Sequence, residues 1–162
     1  MSHTDTKTFD SLRSALKQTT SKEDAAWCLM DVVFENSERY VDAIIYLLDD
    51  SNDYLIQTAA KGEKVRADHM IKNPIVIQRG EGIVGWVLDF KKPRLLGDTT
   101  RDRNYIIDDR FRLSELAVPI INDDRIYGVI DSEHSNENYY TKEDQAYFEK
   151  VAGIFAEHLA SL

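Results

Sequence analysis

A chain of 162 residues, 43% apolar and 30% charged, has the length and make-up of one globular domain with a core of its own. Its formal net charge of -9 argues against a nucleic-acid footprint and against an anionic membrane surface, since both call for basic faces on the protein. The one cysteine, Cys28, excludes an internal disulfide, a CxxC pair and a multi-cysteine metal site, and fits a reducing, cytosolic compartment. The polar opening MSHTDTKTF has no apolar signal segment, and no apolar run approaches the roughly 18 residues that span a bilayer.

The first half-dozen residues are polar and expected to fray. Phe9, Leu12 and Leu16 then recur with helical spacing. Ser21 with Asp24 three residues on resembles a capping box, and Ala25, Ala26, Cys28, Leu29, Val32 and Val33 follow as one helical stripe. Val41 to Leu48 reads as a strand, the Asp49–Asp53 run as a turn, and Tyr54 to Ala60 as the returning strand of a hairpin. A charged connection leads through Pro74 to a short strand at Ile75–Ile77. Gly80 to Gly85 holds three of the seven glycines and introduces a helix from about Ile83 to Phe90.

Arg94–Leu96 reads as a short strand, and Asp98 to Arg112 as an ordered loop or short helix. Glu115–Ile121 and Arg125–Glu133 form a second hairpin around Asn122-Asp123-Asp124, which places Pro119 at an edge or a bulge. Thr141 with Asp144 caps a final helix whose apolar stripe is Phe148, Val151, Ile154, Phe155 and Leu159. Helices, hairpin, short strands, hairpin and helix in that order predict an α+β fold with helices packed on an antiparallel sheet.

Gly80-Glu81-Gly82-Ile83-Val84-Gly85 is a literal G-x-G-x-x-G, the pattern of a dinucleotide fingerprint. Its context argues against that reading. The helix it opens has room for only about nine residues before Pro93, short for a crossover that takes a dozen or more, and a hairpin follows where a parallel strand is needed. The glycines are better explained by a tight turn and a close-packed helix start.

Cys28 sits on an apolar helical stripe, where a lone cysteine is a small buried hydrophobe. His3, His69, His134 and His158 show no metal-ligand spacing. Asp131, Glu133 and His134 cluster at a strand end, and Asp131 and Glu133 face one side of an extended strand. A solvated rim is the favoured reading of that cluster, with a metal or acid/base site as the alternative. Arg101, Arg103, Arg110 and Arg112, four of the ten arginines, fall within Asp98–Arg112 and suit carboxylate or phosphate groups. Asp98, Asp102, Asp108 and Asp109 nearly cancel their charge, so local ion pairing is the simpler reading.

Three runs, GEGIVGWVLDFKKPRLLGDTTRDRNYIIDD, LSELAVPIINDDRIYGVIDSEHS and YYTKEDQAYFEKVAGIFAEHL, together with the earlier YLIQTAAKG, resemble a GAF domain. The resemblance runs from about Ser21 to Leu162, which divides the chain into an N-terminal segment and helix, 1–20, and a GAF domain, 21–162. It is most similar in style to GAF domains attached to bacterial sensor kinases. It implies a central antiparallel sheet with N- and C-terminal helices on one face. On the other face, short helices and loops would enclose a pocket walled by Tyr46, Trp86, Asp98, Tyr105, Arg112, Ser114, Glu115, Asp131 and Glu133.

Three branches of the family can be compared. The free methionine-(R)-sulfoxide reductases are small single-domain proteins whose substrate carboxylates look matched by Glu115, Asp131 and Glu133. Their catalytic cysteines are replaced, one position reading Ile83-Val84-Gly85 and Asp108 lying near another. The Asn-Lys…Phe…Asp-Glu signature of the cyclic-nucleotide branch is matched only in part by Asn104-Tyr105…Phe111…Glu115. The bilin branch needs a thioether cysteine, and Cys28 lies in the wrong element. The resemblance therefore implies a non-catalytic GAF sensory or regulatory domain in bacterial signal transduction, without cofactor or metal. It would bind a small cytosolic ligand, mediate homodimerisation through the terminal helices, or do both, and a signalling domain could be its partner. A degenerate sulfoxide reductase is the alternative.

Overall fold

The computed structural model describes residues 2–63, 65–101 and 112–162. Helix α1, His3–Leu16, begins six residues before the first apolar position, where fraying was expected. The reason is a complete capping box: Ser2 Oγ accepts from the Asp5 amide and Asp5 Oδ2 from the Ser2 amide. Helix α2, Lys22–Leu29, starts on Ser21, whose hydroxyl accepts from the Asp24 amide at 3.1 Å. It runs on into a π-helical turn, Met30–Phe34. Lys61 Nζ donates to the carbonyls of Phe34, Ser37 and Tyr40 at 2.6, 2.7 and 2.8 Å, satisfying backbone acceptors that a helix end leaves open.

Six strands form one sheet: β1 Ala43–Leu48, β2 Tyr54–Lys61, β3 Val76–Gln78, β4 Arg94–Leu96, β5 Ser114–Asn122 and β6 Arg125–His134. Their order is β3-β2-β1-β6-β5-β4, and every pair is antiparallel. Both expected hairpins, β1–β2 and β5–β6, are present. Pro119 lies on β5 beyond the stretch that β4 covers, and among the described residues β5 has no second neighbour there, the edge position that a missing N–H allows.

Strands β3 and β4 sit at opposite edges of the sheet, so the chain must cross one face between them. It does so as helix α3, Gly82–Phe90. This antiparallel arrangement excludes the dinucleotide-binding reading of the glycine run. The glycines serve close packing instead: a Cβ on Gly85 would lie 2.9 Å from the Gln78 carbonyl oxygen, and Gly80 and Gly82 have φ of 79° and 68°.

Strand side chains alternate between two cores. Ile45, Leu47, Val118, Ile120 and Ile130 face α1, α2 and α4 (Lys142–Ser161), burying Phe9, Leu12, Phe34, Phe148 and Phe155. Ile44, Tyr46, Leu48, Ala117 and Val129 face α3, burying Ile83, Val84, Val87 and Leu88. The apolar stripes of α1 and α4 are thus filled within one chain. Helix α4 opens on the expected Thr141–Asp144 capping box. The Asp144 carboxylate also accepts from Arg39 Nε and from the Tyr40 hydroxyl, each at 2.6 Å, pinning the segment after the π-helical turn to α4. Among the described residues no helix is long and apolar enough to cross a membrane.

Candidate functional site

Under α3 the sheet and helix enclose a small cavity of about 30 Å³. Ile44 and Tyr46 of β1, Ile75 and Ile77 around β3, and Gly82, Ile83 and Val84 at the start of α3 supply its apolar walls. Glu115 of β5 and Asp131 and Glu133 of β6 supply its polar end. The register explains the meeting. Glu115 pairs directly with Glu133, and Asp131, two residues from Glu133, projects to the same face.

One carboxylate oxygen from each of these residues lies within 4.8 Å of the other two. Glu115 and Asp131 are only 3% exposed and Glu133 is half-buried, so the solvated-rim reading of Asp131 and Glu133 is corrected. A strand end is normally wet, but here α3 roofs it. The three side chains concentrate acidic groups at one end of the cavity. Three oxygens could serve a divalent cation, but such ions take six to eight, or six with retained waters, and the other described lining residues are aliphatic apart from Gly82 and Tyr46, whose hydroxyl accepts from Gln57.

The surroundings hold these groups in place. Asp42 is buried; its Oδ1 accepts from the Glu133 amide at 3.2 Å, and its carbonyl accepts from the Ser132 hydroxyl. Ser132 Oγ lies 2.6 Å from the Tyr140 hydroxyl, whose pKa is pushed well up, chiefly by burial. Gln57, also buried, donates from Nε2 to the Tyr46 hydroxyl at 2.9 Å and accepts the Ile75 amide at 2.8 Å through Oε1.

Of the positions expected to wall the pocket, Tyr46, Glu115, Asp131 and Glu133 line the cavity. Trp86, Asp98, Arg112 and Ser114 are not among its lining residues. Trp86 stacks on Phe90 at 4.6 Å and lies under the Arg94 guanidinium at 4.5 Å. Asp98 accepts from the amide and hydroxyl of Thr100. The Arg112 carbonyl accepts from the Thr99 hydroxyl, and the Ser114 hydroxyl donates to the Asn136 carbonyl. Tyr105, Arg103 and Arg110 lie outside the described residues. His134 stands apart from the carboxylates, stacked on Tyr139 at 3.5 Å with Nδ1 accepting the Asn136 amide. Ile44 was legible as the strand neighbour two before Tyr46; no pattern in the sequence pointed to Gln57.

A family model of the GAF domain matches residues 21–160. The chain belongs to the GAF family. Among solved structures, the GAF domain of the Acinetobacter phosphoenolpyruvate-protein phosphotransferase is similar at 19% identity, with a TM-score of 0.79 over 99% of this chain and 96% of that one. The free methionine-R-sulfoxide reductase of Neisseria meningitidis, in complex with its substrate, is similar at 18% identity and a TM-score of 0.77 over 99% and 93%. The fRMsr of Staphylococcus aureus in its reduced form gives 20% identity and 0.79 over 96% and 94%. No curated protein sequence matches the chain.

These neighbours correct the expectation that the chain is not an enzyme. Reductases and a phosphotransferase's GAF domain resemble this fold equally well, so the GAF fold does not separate catalysis from sensing and enzyme status is open. What the structure adds is the position of the one thiol. Cys28 packs with the helical core, across the sheet from the carboxylates, and burial followed by Asp31 raises its pKa.

Proposed function

We propose that this GAF domain is a sensory module of bacterial cytoplasmic signal transduction that binds a small molecule bearing an ammonium group. The observation that carries this reading is the trio Glu115, Asp131 and Glu133, gathered within 4.8 Å at one end of a cavity whose other described walls are aliphatic side chains, Gly82 and the Tyr46 ring. The cavity of about 30 Å³ holds a water or two. Entry of a metabolite therefore requires its walls to part, and that displacement is the signal a sensory domain has to offer. Two copies would associate along α1 and α4 through outward polar faces, their apolar stripes being already buried.

Thermal unfolding with a panel of free amino acids, polyamines and N-acetylated amino acids tests the ligand class. A ligand at a hundred times its dissociation constant stabilises by about 2.7 kcal/mol. Amine-bearing members should raise the melting temperature and their N-acetylated forms should not. Glu115→Gln and Asp131→Asn should each remove the effect. Equal shifts from amines and from simple anions would sink the reading.

The same carboxylates favour a second reading, a sulfoxide reductase, because a neighbour of this fold is a free methionine-R-sulfoxide reductase. Turnover of free methionine-(R)-sulfoxide with a thiol reductant would establish it; its absence across thiol donors would end it.

A further inference from the structure

Residues 65–75, between β2 and β3, touch both sides of the sheet. On the pocket side Val65, Ile71 and Ile75 pack against the α3 core. Ile75 also lines the cavity, and its amide is held by the buried Gln57, which reaches on to the Tyr46 hydroxyl. On the helical side the His69 ring stacks on Trp27 of α2, with centroids 4.5 Å apart and planes 9° from parallel. His69 Nε2 lies 3.6 Å from Asp31 Oδ1, and Trp27 packs against the helical core. Around His69 the segment is braced, and residues 72–74 join this turn to Ile75. Val65 and Ile71 form an antiparallel bridge, the Arg66 amide donates to the Met70 carbonyl at 2.8 Å, and the His69 amide donates to the Arg66 carbonyl at 3.2 Å.

We propose that residues 65–75 are a strap around the edge of the sheet that couples the state of the pocket to the position of α2. The inference rests on the pocket being the ligand site. The cavity is too small for a metabolite, so its walls must move, and β3 is its least supported wall: three residues long, at an edge, with Val76 exposed. An outward shift of Ile75 pulls, through residues 72–74, on the braced turn 65–71, whose tip is stacked on Trp27 through His69. Gln57 sets the resting position, because it ties Ile75 to Tyr46 on the facing wall.

Hydrogen exchange of the whole chain, with no ligand present, tests the coupling in both directions. His69 is half-exposed, so His69→Ala leaves the core intact. Its readout is the exchange rate of the Ile75 amide divided by that of Ile130 in β6; a general loss of stability speeds the core amide at least as much and so cannot raise this ratio. His69→Ala should raise the ratio at least about threefold, the scale of coupling between residues sharing a network, and His69→Phe, which keeps the stack, should restore most of it. Conversely, Gln57→Leu should speed the Arg66 amide relative to Ile130. A faster Arg66 in His69→Ala with an unchanged Ile75 ratio would overturn the strap. Because no ligand enters the measurement, its failure is distinct from failure of the amine-binding reading, which thermal shifts decide.

Discussion

A Cβ placed on Gly128 of β6 would come within 1.9 Å of the Tyr46 carbonyl oxygen in β1. The contact sits mid-sheet, where β6 pairs with β1 on one side and β5 on the other. Tyr46 also lines the pocket, so this close approach sets the distance between the pocket floor and the strand that carries Asp131. Gly128→Ala must push β1 and β6 apart. We expect a loss of about 3 kcal/mol, at the upper end for overpacking, read as a fall in the urea midpoint without a change of slope. A midpoint within error of the parent would contradict the geometry.

Acid should destabilise the fold in two stages. Burial lowers the His134 pKa, with help from Arg112 and Arg39, and burial lowers that of His158. The unfolded chain then binds those protons more tightly than the folded one, so stability is full above the ordinary histidine range and falls as pH drops through it. Burial alone would raise the Asp144 pKa, but hydrogen bonds from Arg39, Tyr40 and the Thr141 amide hold it at about 2. Its contribution is present above the usual carboxylate pKa of about 4 and is lost as the pH falls toward 2. Asp144→Asn should flatten the lower stage and spare the upper in a pH series of denaturant melts. His134→Gln combined with His158→Gln should do the reverse.

The elements that read clearly in the sequence are those fixed by local chemistry. Phe9, Leu12 and Leu16 announce α1, and Thr141 with Asp144 announces α4, because helix period and capping act within four residues. Asp131 and Glu133 were legible as a same-face pair, yet their burial was not, since it depends on α3 crossing from one sheet edge to the other. Ser2 with Asp5 was readable by the same capping rule and was masked by the polarity of its surroundings. Gln57, Lys61 and Arg39 were invisible for another reason. Their partners lie 18, 21 to 27 and 105 residues away, and nothing in a run of residues marks such a pairing.

Lys61 is the most concentrated of these long-range ties. Its ammonium faces three carbonyls and sits half-buried at the end of β2. Lys61→Met keeps much of the stem and strands all three acceptors, which should cost about 2 kcal/mol, while Lys61→Arg should recover only part because a planar fork cannot meet three converging oxygens equally. Melts of both variants give the comparison. Equal stability of Lys61→Met and the parent would show that water replaces the ammonium there.

Cys28 and the carboxylate trio occupy opposite sides of the sheet, and that separation can be measured. Only the thiolate is nucleophilic, and burial with the nearby Asp31 disfavours it. The folded chain should therefore react with a disulfide reagent at neutral pH more slowly than free cysteine, and at the free rate once unfolded. Cys28→Ser should leave the melting-temperature shift produced by an amine ligand unchanged, since the substituted atom faces the helical core. Loss of that shift in Cys28→Ser would place the thiol's influence in the pocket, and fast labelling of the folded chain would show that α2 opens far more readily than its packing implies.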